Sequence, residues 1–176
     1  MSVLLILFIA LVVLIVLVVG IGLALPRTHR ASSRITLPHA PADVWAIVRD
    51  PTALLGTWKE LKSSRVVPPP DQGGKEVWEQ NAGGFPIRLV VEDSDPPRRL
   101  LTRIDAAPDA AFGGTWTYQL DAIPGGTRVT LTEDGYVRNP VFRVMMVASG
   151  VHRTTDGYLN ALGRKLGATV TPEHLK

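Results

Sequence analysis

The sequence predicts an α+β domain, a curved antiparallel β-sheet wrapped around a long C-terminal helix, carried behind a single transmembrane helix. Three observations lead there. Residues 3–25 are apolar and uncharged throughout. Residues 60–137 alternate apolar and polar side chains between turn residues, as half-buried strands do. Residues 140–166 repeat apolar side chains at spacings of three and four, the period of a helix that covers a core.

The first element is Val3 to Leu25, VLLILFIALVVLIVLVVGIGLAL. A helix of that length reaches about 34 Å, against the roughly 30 Å of a bilayer's hydrocarbon core. Its valines and isoleucines weaken a helix in water, but in lipid every backbone N–H and C=O must pair within the segment, so helix prevails. A cleaved secretory leader would want positive charge before the apolar run, a shorter run and a small-x-small cut site. Only Met1 and Ser2 precede this one, and Gly22-Leu23-Ala24 is a poor cut, so an uncleaved anchor is expected. Arg27, Arg30 and Arg34 follow the span and no charge precedes it. By the positive-inside rule the amino terminus lies outside and the C-terminal domain in the cytoplasm, in a single pass of the cell membrane.

Pro26 ends the helix exit, and residues 26–33 read as a short polar tether. Arg34-Ile35-Thr36-Leu37 alternates as a short strand stopped by Pro38. A helix is expected to follow at once. Pro41 suits its first turn, Asp43 favours its positive end, and Val44, Ile47 and Val48 give it an apolar face. Asp50-Pro51 interrupts it, and Thr52 to Leu55 make one further turn before Gly56. Strands are expected at 60–67, 74–80, 86–94, 98–105, 113–122 and 127–137, with turns at Pro68–Gly74, Asn81–Gly84 and Ile123–Gly126. Asn139 then caps a long helix of about 26 residues that Pro140 begins, and residues 168–176 read as a tail.

After the anchor, roughly 150 residues remain, the size of one domain. With no cysteine in the chain, disulfides, thiolate catalysis and cysteine-ligated metal are excluded. The net charge of +3 belongs to the part beyond the anchor, with both signs scattered. A mild positive balance suits anionic headgroups, whereas no basic block or zinc-finger spacing points to nucleic acid.

Several stretches carry a family resemblance: ITLPHAPADVWAIVRD at 35–50 with Pro51 and Trp58, the strand GGTWTY at 113–118, GGTRVTL at 125–131 with Thr132-Glu133, and Tyr158-Leu159-x-x-Leu162. In these the chain resembles the polyketide cyclase/dehydrase and lipid-transport group of the START/Bet v 1-like (SRPBCC) superfamily, over about residues 32–167. The resemblance implies a helix-grip fold over 34–167 and a ligand cavity between sheet and long helix. It leaves function open, because the family includes apolar-ligand carriers, cyclases and hydrolase-like proteins. The anchor departs from the usual soluble member.

The candidate ligand-binding residues that follow are Trp58, Trp78, Trp116, Tyr118, Met145, Met146, Ser149 and His152. Rings and thioethers make adaptable apolar walls. Met145 and Met146 point about 100° apart on a helix, so one of them faces the cavity. His152 sits on the apolar helix face, three residues after Ser149 and four before Asp156, where an imidazole can orient a ligand or take a proton. His29, His39 and His174 fall in the tether, a turn and the tail, where solvent is the default. The four histidines form no short-spaced metal pattern, so no metal and no cofactor is expected. Ser149-Gly150 lacks the strand-turn-helix setting of a nucleophile elbow, and the Gly-Gly pairs lack phosphate-binding spacing.

The functional expectation is a membrane-tethered domain that binds an apolar small molecule such as a lipid, isoprenoid or quinone. Two alternatives stand beside it. One is a cyclase or dehydrase, which needs a polar pair projecting into the cavity. The other is a non-catalytic module for a membrane-protein partner, with the cavity filled by its own side chains.

Overall fold

In the computed structural model, which describes residues 2–67 and 74–175, the N-terminal apolar run is helix α1, Val3–Ala24. It is long and apolar enough to cross a membrane, and it lies almost wholly exposed. The rest is an α+β fold. In chain order it comprises β1 (Thr28–Leu37), α2 (Pro41–Val48), β2 (Leu61–Val67), β3 (Val77–Ala82), β4 (Phe85–Asp95), β5 (Arg99–Ile104), β6 (Phe112–Ile123), β7 (Gly126–Val137), α3 (Pro140–Ser149), α4 (Arg153–Lys165) and β8 (Glu173–Leu175). The eight strands form one antiparallel sheet in the order β2-β3-β4-β5-β6-β7-β1-β8. The expected turn at 68–73 lies outside the described residues.

Three expectations need correction. Residues 28–33, expected as a tether, are the first half of β1, paired with Leu131–Tyr136 of β7. Their inward positions carry His29, Ala31 and Ser33, small or polar side chains that hide a period-two pattern running on into Ile35 and Leu37. In the expected tail, Glu173–Leu175 adds an edge strand to β1. The single long helix is two, α3 and α4, because Gly150 breaks it at a φ of +90°, a left-handed value that glycine adopts without a Cβ clash.

Other local signals act as their chemistry requires. Asn139 caps α3, accepting from the Val141 N–H at 2.9 Å and the Phe142 N–H at 3.3 Å, with Pro140 in the first turn. At the far end of α4 the His39 ring meets the Leu166 carbonyl at 2.9 Å. The core lies between the concave sheet face and α2 and α4, with Leu37, Val44, Leu89, Leu100, Val129 and Leu159 all buried.

Candidate functional site

The concave side of the sheet has two unlike ends. Toward α2 it is filled by rings. Trp58 meets Trp116 at 6.2 Å between centroids and Tyr158 edge-on at 5.5 Å, and Tyr158 meets Tyr118 at 5.2 Å. The crevice left among these rings and Trp78 is about 20 Å³, room for about one water and no more. Burial holds the Tyr118 and Tyr158 hydroxyls well above the usual phenol range.

Toward α3 the interior is hollow. One chamber of about 260 Å³ lies between Trp58, Trp116, the β3–β4 turn at Gly83 and Phe85, and the start of α4. A second, of about 270 Å³, lies between Tyr136, Met146, Ser149 and Val151. The two share Ile104, Phe112, Glu133, Arg153 and Thr154 as walls. A larger open groove of about 720 Å³ runs outside them along β2–β4 and the β5–β6 loop, and meets the first chamber at Ile87, Ile104 and Phe112.

Ionisable side chains stand in these walls, Arg153 in both chambers, Glu60 in the first, and a pair formed by His29 and Glu133. His29 Nε2 lies 3.4 Å from Glu133 Oε1, with the side chains only 12% and 18% exposed. Strand pairing sets it there: Ala31 and Trp116 lie opposite Glu133, and Gly135 lies opposite His29, all on the concave face. Gly135 is also what leaves room for the imidazole, since a Cβ there would come within 2.5 Å of His29 Cε1. His29 Nδ1, Glu133 Oε2 and Trp58 Nε1 are buried with no hydrogen-bond partner in the protein. Buried polar atoms are rarely left unpaired, and these three belong to residues that border the chambers, Trp58 the first, His29 the second and Glu133 both.

The structure distributes the candidates from sequence unevenly. Trp58 and Trp116 border both the ring-filled crevice and the first chamber, while Trp78 and Tyr118 border the crevice alone. Met146 and Ser149 line the second chamber; Met145, one position round the helix, is 59% exposed. His152 turns away from the chambers to the β8 side of α4. Its Nδ1 lies 3.2 Å from the buried Ser33 Oγ, which donates to Asp156 at 2.7 Å. Burial, and then the facing His174, push its pKa below the ordinary histidine value, against the pull of Asp156. Sequence reasoning misses His29 and Glu133 because His29 falls in a stretch that reads as a tether.

His152, Asp156 and His174 also form a cluster of metal-ligand type, their nearest ligand atoms within 4.8 Å. The His152 and His174 rings are stacked, however, 3.8 Å apart and within 10° of parallel. A metal ion sits about 2.0–2.1 Å from each nitrogen and near both ring planes, and planes stacked in this way share no such point. As it stands the cluster is a hydrogen-bonded latch, with His174 Nε2 2.8 Å from Asp156 Oδ2, fastening β8 to α4.

Residues 28–167 match the family described as polyketide cyclase/dehydrase and lipid transport. No curated protein matches. Among solved structures, the Zhui aromatase/cyclase from Streptomyces sp. R1128 is similar at a TM-score of 0.62 and 18% identity, over 80% of this chain and 92% of that one. The di-domain ARO/CYC StfQ from the steffimycin biosynthetic pathway is similar at 0.62 and 8% identity, over 80% of this chain and 51% of that one. The protein TTHA0849 from Thermus thermophilus is similar at 0.57 and 23% identity, over 79% and 96%. At these identities the likeness shows the fold.

Proposed function

We propose that this chain, which belongs to the polyketide cyclase/dehydrase and lipid transport family, binds an apolar small molecule with one polar end in the paired chambers, held at a bilayer by α1. The observation that carries the reading is the pair of adjoining, largely apolar chambers that share Ile104, Phe112, Glu133, Arg153 and Thr154 as walls. Two abutting volumes of about 260 and 270 Å³ suit a site for a small ligand, for which roughly 300–1,000 Å³ is usual. Ile104, Phe112 and Met146 would take the hydrocarbon, and Glu133 and Arg153, which border both chambers, would take the polar end. The basic side chains that follow α1 support a cytoplasmic domain. An anchor beside the cavity keeps a membrane-dissolved ligand at high effective concentration.

The test is native mass spectrometry with organic extraction of the full chain in nanodiscs. A stoichiometric apolar compound, lost from a cavity-filling Thr154→Trp variant, is the expected result. A chain that emerges empty and stays empty when offered membrane lipid extract overturns the reading.

A second reading, cyclisation or dehydration of the bound compound, is favoured by the His29–Glu133 pair. It supplies the acid–base couple inside the cavity that such chemistry needs. The comparisons lean the same way, since two of the similar structures are named as aromatase/cyclases. In this reading Glu133 accepts a proton from the substrate and His29 shuttles it. Extraction again decides. If Glu133→Gln accumulates a compound heavier by one water than the compound from the wild-type chain, the domain is an enzyme. If both carry the same compound, it is a binding domain.

A further inference from the structure

We propose that α3 and the β3–β4 turn lie in the interfacial layer of the same bilayer that α1 crosses, which brings the chamber walls at Phe85 and Met146 to the membrane surface. The inference rests on reading α1 as an anchor and adds a second contact surface.

Helix α3 is PVFRVMMVAS, and its one charged residue, Arg143, is buried. Its outward side chains are Val141, Phe142, Met145 and Val147, from 37% to 59% exposed. In water this would be an uncharged apolar patch with no cover.

The position of α3 says what covers it. Helix α1 packs against α3, and its covered positions, Val18, Val19, Gly22 and Leu25, form one stripe. At Gly22 the two backbones approach so closely that a Cβ would lie 2.1 Å from the Pro140 carbonyl oxygen. Arg143 donates to the Leu25 carbonyl at 2.7 Å and to the Arg138 carbonyl at 3.2 Å, which fixes α3 to the end of α1. Helix α1 spans about 33 Å, little more than the hydrocarbon core, so its last turn stands at the boundary. From Leu25 back to Val18 is about 10 Å. An element packed along that stretch reaches the depth at which interfacial helices bury their apolar faces, roughly 5–10 Å.

The neighbouring surface agrees. Phe142 meets Phe85 of the β3–β4 turn at 6.3 Å, and Phe85 meets Phe112 at 6.2 Å, joining α3 to two residues of the first chamber's wall. Phe85 is itself 50% exposed. Arg27, Arg30 and Arg138 are exposed around the α1 exit, where anionic headgroups would meet them.

The chain has no cysteine, so single nitroxide labels can be placed cleanly at Leu11→Cys, Met145→Cys, Val147→Cys and Lys62→Cys. The full chain is reconstituted in phosphatidylglycerol-containing vesicles, and collision rates with oxygen and with a water-soluble nickel chelate are compared. Labels at 11, 145 and 147 should favour oxygen several-fold, and the label at 62 should favour nickel. If 145 and 147 behave like 62 while 11 stays in lipid, the interfacial contact is wrong and the anchor stands. If 145 and 147 are shielded from both agents, another protein or a second copy covers α3, and the proposal fails. If 11 is open to nickel, the anchor fails and takes this inference with it.

Discussion

The two ends of the concave face are built from the same sheet and finished in opposite ways. At the α2 end, Trp58, Trp78, Tyr118 and Tyr158 leave only a crevice of about 20 Å³, and Arg49 closes the rim, over the Trp78 ring at 5.7 Å and paired to Glu76 at 2.8 and 2.6 Å. At the α3 end the same strands surround two chambers and leave polar atoms unpartnered. The packed end holds the domain together, and the hollow end gives up contacts and hydrogen bonds that a ligand can supply.

The largest effect should come from breaking the packed end. Tyr158→Ala removes a buried ring with two aromatic neighbours and should destabilise the domain by about 3–5 kcal/mol. Met146→Ala at the hollow end borders an existing void and should cost about 1 kcal/mol. Denaturant unfolding of the full chain in mild detergent checks both. Equal losses would mean that the hollow end is packed in solution.

The converse holds for ligand retention. Glu133→Gln keeps the shape of the side chain and removes a buried carboxyl oxygen that has no partner, so stability should move by less than about 1 kcal/mol. Retention of the extracted compound should fall about tenfold, which corresponds to about 1.4 kcal/mol of binding. Gly135→Ala should act alike by pushing the His29 ring out of the wall, with the loss of ligand again exceeding the loss of stability. A change in stability as large as that of Tyr158→Ala would make the pair structural.

The packed end was the more legible of the two in sequence. Its tryptophans and tyrosines declare themselves by size, though Trp78 and Tyr118, read from sequence as ligand walls, pack into the core instead, and the pattern at Thr115–Leu120 and Thr127–Thr132 gives the β6–β7 hairpin with its inward face. The hollow end is made by less visible means. Gly150 turns one helix into two, and glycine within an apolar helical pattern is equally read as a bend. His29 and Ser33 sit at inward positions of β1 where an apolar residue would have announced the strand, so the visible alternation starts only at Ile35. Which side of α4 His152 takes depends on β8, a three-residue strand too short to leave a periodic signal.

The smallest predicted effect separates that latch from the cavity. His152 faces Ser33, Thr155, Asp156 and the stacked His174; its pKa is lowered, first by burial and then by His174, with Asp156 opposing. Below the ordinary imidazole value near 6.5, the unfolded chain takes up this proton before the folded chain does. Stability therefore rises with pH across that window, is fully present above about 6.5, and is lost as pH falls toward the lower folded value. The difference in denaturation midpoint between wild type and His152→Gln, followed from about pH 7.5 down to about 5, should shrink as the wild type loses this contribution. Ligand retention, set by the chamber walls across α4, should be the same in both chains at each pH. If replacing His152 instead shifts the pH dependence of retention, the latch is coupled to the chambers, and the division between a packed scaffold and a hollow site fails at α4.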